Sequence, residues 1–517
     1  MGPRFYFELP ADWKYNDLYH SLQQKFSLQS LANQRGIIRY YDSFDWRLHL
    51  NRLILAWDGT YLFLMPADPG CTEVSCRYEQ EPKLVQDLPA AGPLRDKLMS
   101  IIEFRALLPV IAIKKNARAL KFLNQEDKTV CYGFYERNSV SAAGAWKRLK
   151  PVFCLLPLKG YIKWIDYLVE WLQNSGCQQI KQDIYYQAVQ KVRISPGSYT
   201  AKVTGPLSGE ISMQRAVQLL LQQLLTISGI NEAGIKKDID TEFLHDFRVA
   251  IRRIRSLLGN LQEFMTEGVY RRARKDFTLM IKLTNSRRDL DIFLHQQPVY
   301  LQALPPRYRR VIIPFFDDLK TRRAKEQKKI LQYLTSPEYQ KNKKYWNDSV
   351  QKTCSVLLRR TGYKSIKIRE VAEQIIFNRY EKVVRFNRNL PAVLADEYLH
   401  RVRIECKKLR YVLEFFQSLF DVKPVKSLVK KLRELQDTLG EYNDLRLQQN
   451  RLKTYLYIQT RRGKTSSNLN KAINYLMNRI QQRKNELQLI FREQFADFCK
   501  PLRQQQLAEI FHGTKKS

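Results

Sequence analysis

Residues Leu244–Leu258 read LHDFRVAIRRIRSLL, and 155 residues further on Leu399–Leu413 read LHRVRIECKKLRYVL. Each copy opens on a histidine and then places cations at the same offsets. They are His245, Arg248, Arg252, Arg253 and Arg255 in the first, and His400, Arg403, Lys407, Lys408 and Arg410 in the second. The same offset carries RRDLDIF onto YNDLRLQ, so that Asp289 falls on Asp444. Wound at 100° per residue, His245, Arg248, Arg252 and Arg255 share one arc of about 80°, and Phe247, Ile251, Ile254 and Leu258 fill the arc beside it. The second copy matches this, with His400, Arg403, Lys407 and Arg410 beside Val402, Cys406, Leu409 and Leu413. Both segments are therefore expected to be helices with one core face and one cation face. Like charges a helical turn apart repel, so two matched cation faces point to a polyanion that offsets the repulsion, with the histidines as further anion donors.

These two H-x-x-R-x-x-x-[RK]-[RK]-x-R helices, together with SRRDLDIF and LQDTLGEYNDLRL (Leu435–Leu447), resemble the conserved histidine α-helical domain, CHAD, over about residues 210 to 505. The resemblance implies a duplicated helical bundle of two pseudo-symmetric four-helix halves that binds inorganic polyphosphate. Association with polyphosphate granules is implied in the same way.

Composition points to the same class of partner. The chain has 88 Lys and Arg against 51 Asp and Glu, a formal net charge of +37. The excess is uneven: residues 1–200 hold 26 cations against 19 acids, the remainder 62 against 32. A field of this sign attracts polyanions. Further basic clusters follow each histidine helix: Arg271, Arg272, Arg274 and Lys275 in the first half, Lys426, Lys430 and Lys431 in the second. All but Arg272 are counted with the histidine-helix cations as expected polyphosphate contacts. Phosphate needs cations and N–H donors but no stacking surface, and the histidine helices carry few exposed aromatics, which favours polyphosphate over single-stranded nucleic acid. Asp289, Asp291 and Asp444 invite a magnesium reading. In a cation-rich bundle the structural reading is preferred: Asp289 and Asp444 orient neighbouring guanidiniums.

The first 200 residues differ in kind. Apolar and β-branched runs such as GIIRYYDSFDWRLHL, NRLILAWDGTYLFLMP, LLPVIAIKK and KPVFCLLPLKGY alternate with turn signals, and helices are expected near Pro93–Phe104 and Gly160–Asn174. RYYDSFDWRL (Arg39–Leu48) with Gly59, LLPVIAIKKNAR and LPLKGY resemble the CYTH, or triphosphate tunnel, fold over about residues 1 to 190. That family alternates Glu-x-Glu-x-Lys on its first strand. Here Gly2, Arg4 and Tyr6 stand at those positions, Glu8 is alone, and of the late signature only Lys159 persists.

The expected architecture is therefore an α+β multidomain chain. A degenerate CYTH-like β-rich domain spans 1–193, a linker 194–210, and an all-α duplicated bundle 211–505, with halves at about 211–350 and 365–505. No nucleotide-binding, metalloprotease or hydrolase motif is present. The eight cysteines contain no C-x-x-C, and Cys71 with Cys76 is the one close pair. With no signal peptide, this usage leads us to expect reduced thiols in a cytoplasm. No apolar run approaches the ~20 residues that span a bilayer. The expected protein binds polyphosphate, and other polyanions less selectively, without catalysis, metal or cofactor. The rivals are a residual triphosphatase assembled from Glu8, Glu73, Glu79 and Glu103, and a nucleic-acid binder.

Overall fold

The computed structural model describes residues 4–67, 74–89, 92–142, 144–158, 160–180, 184–203, 205, 207–352, 366–420 and 422–500. Gly2, Cys71, Glu73 and Lys159, and the limits expected at 365 and 505, lie outside these. The chain divides into two compact units, Met1–Thr200 and Ala201–Ser517. The described residues of 194–210 contain neither helix nor strand.

The first unit opens with β1 (Phe5–Glu8), α1 (Tyr15–Gln23), β2 (Ser27–Ser30), β3 (Gln34–Asp42), α2 (Arg47–Leu50), β4 (Leu53–Trp57), β5 (Tyr61–Pro66) and β6 (Val74–Arg77). It continues with α3 (Pro93–Ile102), β7 (Leu108–Leu123), β8 (Thr129–Glu136), β9 (Ser139–Ser141), β10 (Lys147–Arg148), β11 (Val152–Pro157), α4 (Ile162–Asn174), β12 (Gln178–Ile180) and α5 (Ile184–Val192). The two expected helices are α3 and α4; α1, α2 and α5 were not foreseen. The strands form one twelve-stranded antiparallel sheet whose main path runs β12-β1-β11-β8-β7-β3-β4-β5-β6. Gly133 on β8 lets the Phe122 and Phe153 rings close over the backbone, since a Cβ there would lie 2.8 Å from both.

This sheet fits a CYTH-like tunnel fold, but one face of it is filled. Strand alternation sends Phe7 into one core, with Leu18, Leu22, Phe122 and Phe153, and Tyr6 into another. That second core joins Tyr40, Ile111, Ile113, Val140 and Cys154 to Ile184, Tyr185, Ala188 and Val189 of α5. The RYYDSFDWRL stretch is an internal brace. Asp42 accepts the backbone N–H groups of Ser43, Leu48 and His49 at 2.7, 2.9 and 2.9 Å. Asp45 meets Arg47 at 3.0 Å and the buried Arg105 at 3.3 Å.

The second unit is helical: α6 (Met213–Lys237), α7 (Thr241–Asn260), α8 (Glu267–His295), α9 (Gln297–Ala303), α10 (Pro306–Arg309), α11 (Ile313–Thr335), α12 (Pro337–Lys352), α13 (Ile368–Arg388), α14 (Asp396–Phe416), α15 (Val422–Arg461) and α16 (Ser467–Phe498). The duplication governs its geometry. The first residues of α6, α7 and α8 recur as those of α13, α14 and α15, each 155 positions on. Reciprocal backbone bonds join equivalent positions: Met213 N–H donates to the Ile366 carbonyl at 2.9 Å, and Ile368 N–H to the Ile211 carbonyl at 3.1 Å. Such exchange is the mark of a twofold, here within one chain. Gly234 on α6 allows the Phe243 ring of α7 to lie directly against its backbone, where a Cβ could not fit. The halves part after His295. Pro298, Pro305 and Pro306 break the helical path in the first half into α9 and α10, whereas α15, with no proline at the corresponding positions, runs on to Arg461.

Candidate anion-binding site

Helix α7 starts where Asp240 accepts the backbone N–H groups of Glu242 and Phe243 at 2.8 and 3.2 Å. Helix α14 starts with Asp396 and Glu397 in its first turn, where carboxylates favour the positive end of the helix dipole. Phe247, Ile251, Ile254 and Leu258 are buried on α7, and Val402, Cys406, Leu409 and Leu413 on α14, as the periodicity requires. Fixing these apolar faces in the core sets where the adjoining cation faces go.

They converge. Arg252 of α7 lies within electrostatic reach of Arg403 and Lys407 of α14, and also of Arg248, His245 and Arg255 on its own helix. Burial pushes the Lys407 ammonium down to about 6, reinforced by Arg403, Arg252 and Arg410 and opposed by Asp444. Burial lowers Arg248 to about 9, with Arg252 adding to the effect, and lowers Arg403 as well. The carboxyls of Asp289 and Asp444 are raised, again by burial. Arg451 and Arg248 oppose the shift at Asp289, and Arg403 and Lys407 at Asp444. Two acids thus sit among more cations than they can neutralise. Among the described residues the buried Nε atoms of Arg403 and Arg410 have no hydrogen-bond partner.

Other expected contacts are held elsewhere. Arg253 lies off the cation arc, donating to the Ala201 carbonyl at 2.9 Å and to Glu414 at 2.8 Å. Lys408 is paired with Glu405 at 2.6 Å, Lys431 with Asp497 at 2.7 Å, and Arg271 with Glu267 at 3.2 Å. Arg410 reaches Glu414 at 3.5 Å while remaining beside Lys407. Lys275, Lys426 and Lys430 are exposed. Each stands at least fourteen residues from the aspartate on its own helix, or roughly 20 Å along the axis at 1.5 Å per residue. Arg274 instead lies beside Arg255 across a small cavity.

Residues 216–453, which contain both histidine helices and both aspartates, match the family model of the CHAD domain. The helical unit carries a CHAD domain. Among solved structures, the CHAD domain from the plant Ricinus communis aligns with a TM-score of 0.48 at 21% identity, covering 57% of this chain and 96% of its own. PptA from Streptomyces chartreusis aligns with a TM-score of 0.43 at 13% identity, covering 55% and 98%. No curated protein matches the chain.

Sequence reasoning about the CHAD domain missed Arg288 and Arg451, which lie beside the aspartates, and Arg446, which lies beside His400. A signal existed: Arg288 adjoins Asp289, and Arg451 follows Asp444 by seven residues, two turns along the same face. Burial, then Arg288, pushes His245 down to about 4, and burial, then Arg446, lowers His400. The His245 ring is therefore neutral near pH 6.5 and adds no charge to the cluster; His400 Nδ1 lies 3.4 Å from Asn443 Oδ1. Asp291 is held by Arg287, its partner one turn away, and by Arg323 at 2.9 Å, while Asp238 meets the same two arginines at 2.8 and 2.7 Å. Asp289 and Asp444 meet their arginines electrostatically, without a direct ion pair among the described residues.

Among the described residues no helix is long and apolar enough to cross a membrane.

Proposed function

We propose that this protein binds inorganic polyphosphate without turning it over, and that a flexible polyanion lies across the cations shared by α7, α8, α14 and α15. The observation that carries this reading is the approach of Arg252 to Arg403 and Lys407, which brings cations of both halves into one partly buried cluster. Clustered like charges in a low-dielectric setting destabilise the empty protein, and an anion relieves that cost. Phosphates spaced along a chain meet side chains spaced by helical turns and release counterions as they bind. Tyr411, which neighbours these cations, is buried, with Arg253 and Arg410 over its ring at 6.0 and 5.6 Å, so it offers no platform for a base. Other polyanions would compete on charge alone. Localisation to polyphosphate granules in the cytoplasm belongs to the same proposal.

The non-catalytic part is supported by where the candidate carboxylates lie. Glu8 is engaged by Lys150 at 3.2 Å, Glu79 by Arg77 at 2.7 Å and Glu103 by Arg47 at 2.8 Å, three separate pairings. The test of binding is retention of the full chain on immobilised long-chain polyphosphate at graded salt. If six to ten phosphates are contacted, affinity falls by roughly 10³–10⁵ between about 50 and about 200 mM salt, by analogy with DNA. A flat salt response contradicts the reading. Release of phosphate from triphosphate with Mg²⁺ or Mn²⁺, lost on Glu8→Gln, contradicts its non-catalytic part.

A further inference from the structure

Between α7 and α8, beyond the cluster just described, lies a cavity of about 100 Å³ lined by Arg255, Leu258, Tyr270, Ala273, Arg274 and Phe277. We propose that this cavity is a terminal-phosphate subsite, so that the CHAD domain recognises the ends of a polyphosphate chain as well as its charge. The proposal rests on the polyphosphate reading above.

Size is the first argument. The space is large enough to admit one phosphate group. Charge is the second. Arg255 and Arg274 face each other from two helices, and neither closes an ion pair or hydrogen bond among the described residues. The walls at Leu258, Ala273 and Phe277 are apolar and buried, while Arg255 and Arg274 themselves are exposed. Two guanidinium forks and the Tyr270 hydroxyl form a donor set suited to a phosphate with several free oxygens.

Chemistry then separates ends from middles. An internal phosphate of the chain has two non-bridging oxygens and one charge. A terminal phosphate has three such oxygens and a second ionisation near pH 6, so it is close to dianionic at neutral pH. Two cations in a small apolar-walled cavity favour the terminal group. The approach is continuous: Arg274 neighbours Arg255, Arg255 neighbours Arg252, and Arg252 neighbours Arg403 and Lys407. A chain anchored at its end in the cavity therefore runs directly into the shared cluster.

The duplication supplies an internal control. Shifted by 155 residues, Arg255 falls on Arg410, but Tyr270 falls on Val425 and Arg274 on Val429. Val425 and Val429 are buried, and Arg410 turns to Glu414 at 3.5 Å. The second half has replaced this donor set with core, leaving one end-binding position and a direction for the bound chain.

The experiment compares long linear polyphosphate with the same material capped at both ends as phosphoramidates, a change that barely alters total charge. The full-length protein should bind uncapped chains about tenfold more tightly, the effect of one strong charge-assisted contact. Arg274→Val, which copies the second half, should lose the preference for free ends and bind capped and uncapped chains equally; Tyr270→Val provides a second variant should the first not fold. Equal affinity of the unmodified protein for capped and uncapped chains overturns the proposal, as does a preference that survives in the folded variants. Failure to bind either polymer would instead overturn the polyphosphate reading itself.

Discussion

Arg248 and Arg403 occupy the same position in the two halves, yet they are held in opposite ways. Arg248 donates to the Ile281 carbonyl at 3.1 Å, Thr284 Oγ1 at 2.6 Å and Asn285 Oδ1 at 2.8 Å. At the corresponding places the second half has Gln436, Leu439 and Gly440, and Arg403 makes no hydrogen bond or ion pair among the described residues, although the Nε of both arginines is buried without a partner there. The first half has thus fixed its inner arginine as part of the bundle, while the second leaves its arginine facing Asp444, Lys407 and Arg252 with only electrostatics to place it. Duplication has preserved where cations stand and has let their supports diverge. A pseudo-twofold site is therefore not two equal half-sites: one side is preorganised, the other is adaptable.

The largest effect that would break this contrast is on stability. Arg248→Met should destabilise the fold by about 1–3 kcal/mol, because it leaves neighbouring acceptors without their donor. Arg403→Met should be neutral or stabilising by under about 1 kcal/mol, because it removes a poorly supported buried charge. Urea denaturation of the two variants decides this, and equal losses would mean that the halves are tethered alike.

The next effect is proton linkage at Lys407. Its folded-state value lies near 6 against an ordinary 10.5, so between these values the unfolded chain binds a proton that the folded chain does not. Stability therefore rises with pH across that window and is lowered as pH falls towards 6. Lys407→Met should flatten this slope and stabilise the protein at neutral pH. Polyphosphate should in turn promote proton uptake at Lys407, readable as a buffer-dependent heat of binding that the variant lacks. A slope unchanged by the substitution would place Lys407 outside the crowded cluster.

The smallest expected effect concerns the histidine of the first half. With its folded-state value near 4 against 6.5, His245 remains neutral while the unfolded chain protonates, so stability falls as pH drops between those values. His245→Asn should reduce that acid-side loss. It should leave the pH dependence of polyphosphate affinity between about pH 6 and 8 unchanged, since the imidazole carries no charge there to lose. A growing affinity deficit towards pH 6 would restore the imidazolium to the binding face.

The sequence carried this account unevenly. The repeat and its apolar periodicity were legible because helical faces follow from spacing alone. The sheet was legible as a set of strands, but α1 and α5 were not: YNDLYHSLQ and IYYQAVQKV are short helices whose apolar positions matter only once the sheet provides a surface to cover. Within the site, the partners of Arg253 and the approach of Arg252 to Lys407 depend on contacts across α7 and α14 that no local pattern encodes. The burial of His245 was not legible for the same reason. A wheel shows which residues share a face but not how much protein and how many arginines surround that face.

The central claim is that the two histidine helices contribute to a single polyanion site. Polyphosphate affinity should be measured at one salt concentration for Arg252→Ala with Arg255→Ala, for Lys407→Ala with Arg410→Ala, and for the fourfold variant, each with a circular dichroism melt. Each pair should weaken binding by about 10- to 100-fold, and the fourfold loss should depart from the sum of the two by at least about 0.5 kcal/mol, because the cations repel one another and share one ligand. Independent, additive losses, or normal binding by either folded pair, would contradict a shared site.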